Sequence, residues 1–387
     1  MTTYDFHSAE TRDQPFALFH QMRDHDPVYL TDFGYWYVSR YDDVTRLLRD
    51  TRLTSGQGVP DSFGLTEGPL RDIMDTWMMA LDGPAHTKSR GLVSRAFTPR
   101  AVESLRAPVK ALAQELVGAL GARGEGDIID ALAFPLPMEV TRMLFGVERA
   151  LWDREITALF DRGSASVDYV EAMTVLAEFL SDYIPAHRAT AGTDLFTALS
   201  SPDADGNVLS DLEQVANAVL LVTAGFETTM SLITNAVRTL LLHPDQVELL
   251  RADQSLVRSA VDEALRFEPA ALFTTRFATE QIEVAGGVIP AGSNVMFSSI
   301  AANRDPARYP DPDRFDITRT DIRPVTFGGG VHVCIGASLA RMEAEVAIAT
   351  LFGELPGLRL ADPVCHTFQG ANPSVRRPET LRVTIDR

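Results

Sequence analysis

Cysteine is nearly absent from this 387-residue chain, where Cys334 and Cys365 are the only two. Two cysteines cannot build the disulfide framework of a small secreted domain, and with no Cys-x-x-Cys pair nothing points to structural zinc. Basic residues are also scarce: 35 Lys and Arg face 53 Asp and Glu, a formal net charge of −18. That acidic excess argues against nucleic acid or an anionic membrane as a general partner and favours solubility. No stretch offers the roughly 18 uninterrupted apolar residues of a membrane span. The most apolar run, Val215 to Gly225, is short and meets Glu227. The start, Met1-Thr2-Thr3-Tyr4-Asp5-Phe6-His7-Ser8, has neither the basic residues nor the apolar run of a signal peptide. A reducing cytoplasm is therefore the expected compartment. Internal repeats, low-complexity segments and a convincing linker are missing as well.

What is present is ordinary globular composition, 45% hydrophobic and 23% charged, in a chain long enough to bury a sizeable core. One string stands apart: Thr326-Phe327-Gly328-Gly329-Gly330-Val331-His332-Val333-Cys334-Ile335-Gly336-Ala337, running into the helical pattern Ser338-Leu339-Ala340-Arg341-Met342-Glu343. Successive glycines let the backbone fold back without Cβ clashes. A loop of this kind leading into a helix aims N–H groups and the positive helix end at the Cys334 sulfur, which stabilises a thiolate. A lone cysteine in an apolar run is more often a small buried hydrophobe, so the whole string has to carry the argument. A dinucleotide fingerprint would need glycine where Val333 stands, and a phosphate loop would need Gly-Lys-Ser/Thr.

The string resembles the cysteine-ligand loop of the cytochrome P450 family, Phe-x-x-Gly-x-His-x-Cys-x-Gly, with Phe327, Gly330, His332, Cys334 and Gly336 filling every specified position. The resemblance implies haem b with Cys334 as the metal ligand, and Phe327, His332 and Gly336 among the cofactor-binding residues.

Ser210-Asp211-Leu212-Glu213 reads as a capping box that opens a helix of roughly 30 residues ending near His243-Pro244. Inside it, Ala224-Gly225-Phe226-Glu227-Thr228-Thr229 puts a glycine, an acid and hydroxyls in an apolar helix, where each carries a cost. This resembles the P450 Ala-Gly-x-Asp/Glu-Thr-Thr motif. There Ala224 and Gly225 would leave room for dioxygen, and Glu227 with Thr228 would be the catalytic pair that relays protons.

His86 and Arg90 share a helical face, and Arg276 falls in a strand-like run; the resemblance makes all three haem-propionate ligands together with His332. Glu263 and Arg266 stand three apart on a helical stripe. By the family pattern Arg314 completes a structural triad with them, with Arg319 as a competing partner. Val222, the strand residues Leu272, Phe273 and Thr274, and Phe368 in the tail are expected to line the substrate pocket, together with loop 54–80 and helices around 160–190. Flexible joints are expected near Gly163 and Gly192. Cys365 reads as structural or idle.

The P450 resemblance covers almost the whole chain. It implies a single domain, 1–387, mainly α with a smaller β-rich part, with haem between the long helix and the helix after Cys334. The expected reaction inserts one oxygen atom from O2 into a lipophilic small molecule, by hydroxylation or epoxidation, with secondary metabolism as the expected setting. Oxidative coupling without oxygen insertion, a peroxide-driven peroxygenase and a haem-binding sensor are the rivals. No flavin, nicotinamide or iron–sulfur signature is present, so the expected electron source is a ferredoxin with its reductase, meeting a monomer at a surface that includes Arg95, Arg100 and Arg341.

Overall fold

The computed structural model describes residues 4–6, 8, 11, 13–55, 65–160, 169–187, 194–362, 368 and 374–386. The expected joints near Gly163 and Gly192, the middle of loop 54–80, and Cys365 lie outside the described residues. Helices dominate, with a smaller β part. Two compact units interleave along the sequence. The first comprises Met1–Thr54, Arg106–Leu136 and Thr228–Arg387, and the second Ser55–Leu105 and Pro137–Glu227.

In the first unit, Val28–Leu30, Tyr35–Val38, Asn294–Ser298, Phe273–Ala278 and Leu53–Thr54 lie side by side, in that order, as one sheet. Tyr35–Val38 runs parallel to Asn294–Ser298, and the other pairings are antiparallel. A hairpin forms from Ile282–Val284 and Gly287–Ile289, turning at Gly286, whose φ of 101° only glycine adopts easily. Phe19 and Tyr37 are fully buried beside the sheet, and Phe273 packs edge-on against both, with ring centroids 5.7 and 6.4 Å away. Leu272 and Phe273 therefore spend apolar surface on this core cluster.

The longest helix, Asp211–Leu242, has 32 residues and is about 48 Å long at the usual rise. Its start is the predicted capping box in both directions: the Glu213 N–H donates to Ser210 Oγ at 3.2 Å, and the Ser210 N–H donates to Glu213 Oε2 at 2.6 Å. It is long and apolar enough to cross a membrane, yet 78% of its most apolar window is buried inside the protein, as in a core helix. Pro244, which starts the next helix, cannot continue this one's hydrogen bonding.

In the second unit the helix Gly83–Ser94 is tied to the long helix by Asn217, which is fully buried. Its Oδ1 accepts from the Met78 N–H, and its Nδ2 donates to Ser89 Oγ and the Glu213 carbonyl. Arg95 donates to the carbonyls of Ala198, Ser201 and Pro202, so it caps the helix Leu195–Ser200. Arg95, expected at a docking surface, thus spends its guanidinium on these carbonyls.

Candidate functional site

The cysteine loop is built by glycine geometry. Gly328 and Gly330 both sit at left-handed φ, 69° and 68°. A Cβ on Gly330 would run into the Leu48 carbonyl oxygen. The loop thus passes so close to the end of the helix Tyr41–Leu47 that only glycine fits. The chain then turns back until the Cys334 N–H donates to the Phe327 carbonyl at 2.9 Å, and the helix Ala337–Glu354 begins three residues later. Cys334 emerges exposed, flanked by exposed Val331 and Val333.

Behind the loop lies a buried ionic knot. Glu263 and Arg266, both 0% exposed, pair in two-pronged fashion: Arg266 Nε to Glu263 Oε2 and Nη2 to Oε1, each 2.7 Å. Arg266 also donates to the carbonyls of Asn303, Pro312 and Arg314, so all five of its N–H groups are used. The third side chain is Arg319, whose Nε lies 3.2 Å from Glu263 Oε1 and whose other nitrogens hold the carbonyls of Pro310, Asp311 and Arg314. This corrects the assignment of Arg314, whose side chain is 66% exposed and pairs weakly with Asp316 at 3.7 Å. Arg314 contributes its backbone carbonyl instead.

Asn303, absent from the sequence-derived site, connects the knot to the loop. It is fully buried; its Oδ1 accepts from the Val325 N–H, and its Nδ2 donates to Thr326 Oγ1 and the Leu265 carbonyl. An Asn directly after an apolar helix and before Arg-Asp-Pro is the sequence signal that could have flagged it. Arg341, expected on a docking surface, has its Nε 2.7 Å from Asp262 Oδ1 and its guanidinium 4.5 Å above the Phe327 ring.

On the long helix, Ala224 and Gly225 are exposed midway along an otherwise buried stretch, and Thr228, one turn on, is half-buried. The three share a face by helical spacing. Glu227 is 8% exposed and Thr229 3%. Val222 is fully buried, two residues and therefore about 200° from Ala224, which removes it from the open face and from the predicted pocket lining. Phe226 points away as well, against Phe160 at 4.9 Å. A Cβ at Gly225 would stand 3.8 Å from Thr141 Oγ1, an ordinary contact, so Thr141 does not require glycine there.

His86 is 4% exposed and Arg90 half-buried on the helix Gly83–Ser94. Arg276, half-buried on its strand, has Nη1 on the Thr275 carbonyl, and Thr274 is half-buried beside it. His332, Phe327 and Gly336 are half-buried in the cysteine loop. Phe368 is 2% exposed, covered by Arg376 at 3.5 Å and Arg238 at 5.2 Å from its ring, so it too is corrected from pocket lining to core. Within the second unit a cleft of about 270 Å³ is lined by Ile73, Ser181, Ile184, Pro185, Asp211, Leu212 and Val215, drawing on two of the stretches expected around the substrate.

The donors present suit an iron porphyrin. Within the first unit a thiol stands exposed at the end of a loop that only glycine can build, the donor and the unobstructed backbone that a flat iron complex needs. The family model for cytochrome P450 matches residues 138–355. The chain belongs to the cytochrome P450 family. It is 39% identical to the vitamin D(3) 25-hydroxylase of Pseudonocardia autotrophica over 99% of this chain and 96% of that one. It is also 39% identical to the 6-deoxyerythronolide B hydroxylase of Saccharopolyspora erythraea, covering 84% of each. The solved structure of CalO2 superposes with a TM-score of 0.89 at 33% identity, covering 100% of this chain and 99% of that one. This P450 is accordingly an oxidoreductase of the monooxygenase type that binds haem b through a cysteine thiolate and takes O2 and a lipophilic substrate.

Proposed function

We propose that Cys334 is the thiolate ligand and that this P450 hydroxylates or epoxidises a lipophilic secondary metabolite. The observation that carries the assignment is the exposed Cys334 at the end of a loop whose Gly330 admits no side chain. When bound, haem b would supply oxygen activation, with the Cys334 sulfur as its electron-rich ligand. His86, Arg90, Arg276 and His332 would hold the carboxylates of the cofactor by charge-assisted hydrogen bonds. Glu227, almost fully buried, and Thr228 beside it pass protons inward along the helix while the apolar residues around them keep bulk water out.

Relatives named for hydroxylating vitamin D(3) and 6-deoxyerythronolide B support a bulky apolar substrate. With no flavin or iron–sulfur signature in the chain, electrons come from a ferredoxin and its reductase. The chain works as a cytoplasmic monomer and as one P450 domain, since each compact unit is assembled from non-adjacent segments and the long helix belongs to both. The reduced wild-type protein with carbon monoxide should give the red-shifted band of sulfur ligation, and Cys334→Ser should abolish it. Thr228→Ala should consume O2 with little product; undiminished coupling of oxygen use to product would remove Thr228 from the relay.

A further inference from the structure

We propose that Asp262 and Arg341 form a clamp that holds the cysteine loop through the ring of Phe327, making Arg341 a positioning residue for the thiolate and not a docking contact. This rests on the haem-thiolate reading of Cys334.

The clamp is a chain of contacts within the first unit. The helix Val257–Phe267 turns Glu263 and Arg266 into the buried knot, which leaves Asp262, one residue earlier, on its flank. Asp262 Oδ1 accepts from Arg341 Nε at 2.7 Å, and the two side chains are only 19% and 27% exposed. Fixed by that bond, the guanidinium lies 4.5 Å from the centroid of Phe327. The carbonyl of Phe327 in turn accepts from the Cys334 N–H at 2.9 Å. Phe327 thus has its ring face held by a cation and its backbone holding the cysteine. On its C-terminal side Gly328, Gly329 and Gly330 contribute no side chains to pack against it. The partly desolvated Arg341 lies over the ring and is placed to pin it on that side. Asp262 takes the Nε–H of Arg341 and Phe327 one face of its guanidinium.

The test uses the haem-loaded full-length protein, wild type and the variants R341Q, D262N, R341Q/D262N and R341K, reduced by dithionite so that no protein partner enters the measurement. The readout is the rate at which the carbon monoxide complex loses its sulfur-ligated band on warming. R341Q and D262N should each speed that loss about fivefold, the factor for a cation–ring contact of modest strength. The double variant should be no worse than R341Q alone, because both changes break one chain of contacts. R341K, which can still reach Asp262 and the ring, should recover most of the wild-type rate. The clamp is overturned if the variants retain the band as wild type does. It is equally overturned if the two single changes act additively, or if they only move the reduction potential in opposite directions, as two independent charges would. A wild-type protein that never shows the band would instead sink the assignment of Cys334 and leave the contacts around Phe327 unexplained as a device for it.

Discussion

Replacing Glu263 by Gln is the sharpest probe of the scaffold behind the cysteine loop. The carboxylate takes four hydrogen bonds, two from Arg266 at 2.7 Å and one each from the Asp316 N–H at 2.9 Å and Arg319 Nε at 3.2 Å. Glutamine fills the same space but turns one acceptor oxygen into a donor facing a guanidinium, and it leaves the fully buried Arg266 without its carboxylate. Breaking a buried pair from one side costs about 3–5 kcal/mol. Two companion variants give the comparison its edge. Arg319→Ala removes one bond to Glu263 and three to carbonyls but leaves the Arg266 pair intact, for about 1–3 kcal/mol. Arg314→Ala removes a side chain that is 66% exposed and keeps the carbonyl that Arg266 uses, so it should stay within about 0.5 kcal/mol. Guanidinium unfolding followed by circular dichroism, with the sulfur-ligated band measured alongside, gives the order directly. If Arg314→Ala destabilised as much as Arg319→Ala, or Glu263→Gln cost less than about 1 kcal/mol, the assignment of the third arginine and the burial argument would both be wrong.

Gly328→Ala and Gly330→Ala both force a side chain into left-handed backbone, costing about 1–2 kcal/mol each. Only Gly330→Ala also meets the Leu48 carbonyl, so haem retention measured by absorbance should fall further for that variant. Ser210→Ala removes half of the capping box on the long helix and should lower stability by about 1 kcal/mol in denaturant titrations, with no spectral change at the cofactor. Burial works against the charge on Asp194, but the Thr197 N–H and His187 hold its carboxyl below the ordinary range. A depressed carboxyl stabilises the fold above its unfolded pKa and loses that contribution as pH falls through its folded one. Asp194→Asn should therefore be less stable than wild type near neutral pH, and the gap should close below about pH 4; a gap independent of pH would contradict the reading.

The parts of this molecule that were legible in the sequence are those where local chemistry permits few alternatives. Ser210 and Glu213, three apart before an apolar run, can hardly do anything but cap a helix, and they do so in both directions. The glycines before Cys334 required a backbone that other residues avoid, and two of them adopt it. Glu263 and Arg266 share a helical face, so their meeting follows from spacing alone. Periodicity also carried an unread warning about Val222: two residues along a helix from an exposed alanine is the opposite side.

What stayed hidden lies where the path of an irregular segment decides which side chain arrives. Between Arg304 and Pro324 no periodicity constrains the chain, and Arg314 and Arg319 are equally cationic. The choice is made by a turn at Asp311, whose φ of 47° an aspartate tolerates. There the Asp311 carbonyl accepts both from the Arg314 N–H and from Arg319 Nη2, so the loop closes with Arg319 turned inward and the Arg314 side chain left in solvent. The same logic covers Arg95 and Arg341. A surface arginine in a sequence is a free charge only until a carbonyl cluster or a carboxylate on a distant segment claims it, and in an acidic chain with 53 carboxylates for 35 Lys and Arg such claims are easily made. An exposed cation available to a redox partner is therefore better sought at Arg100, whose residue is exposed, than at either arginine the fold has already engaged.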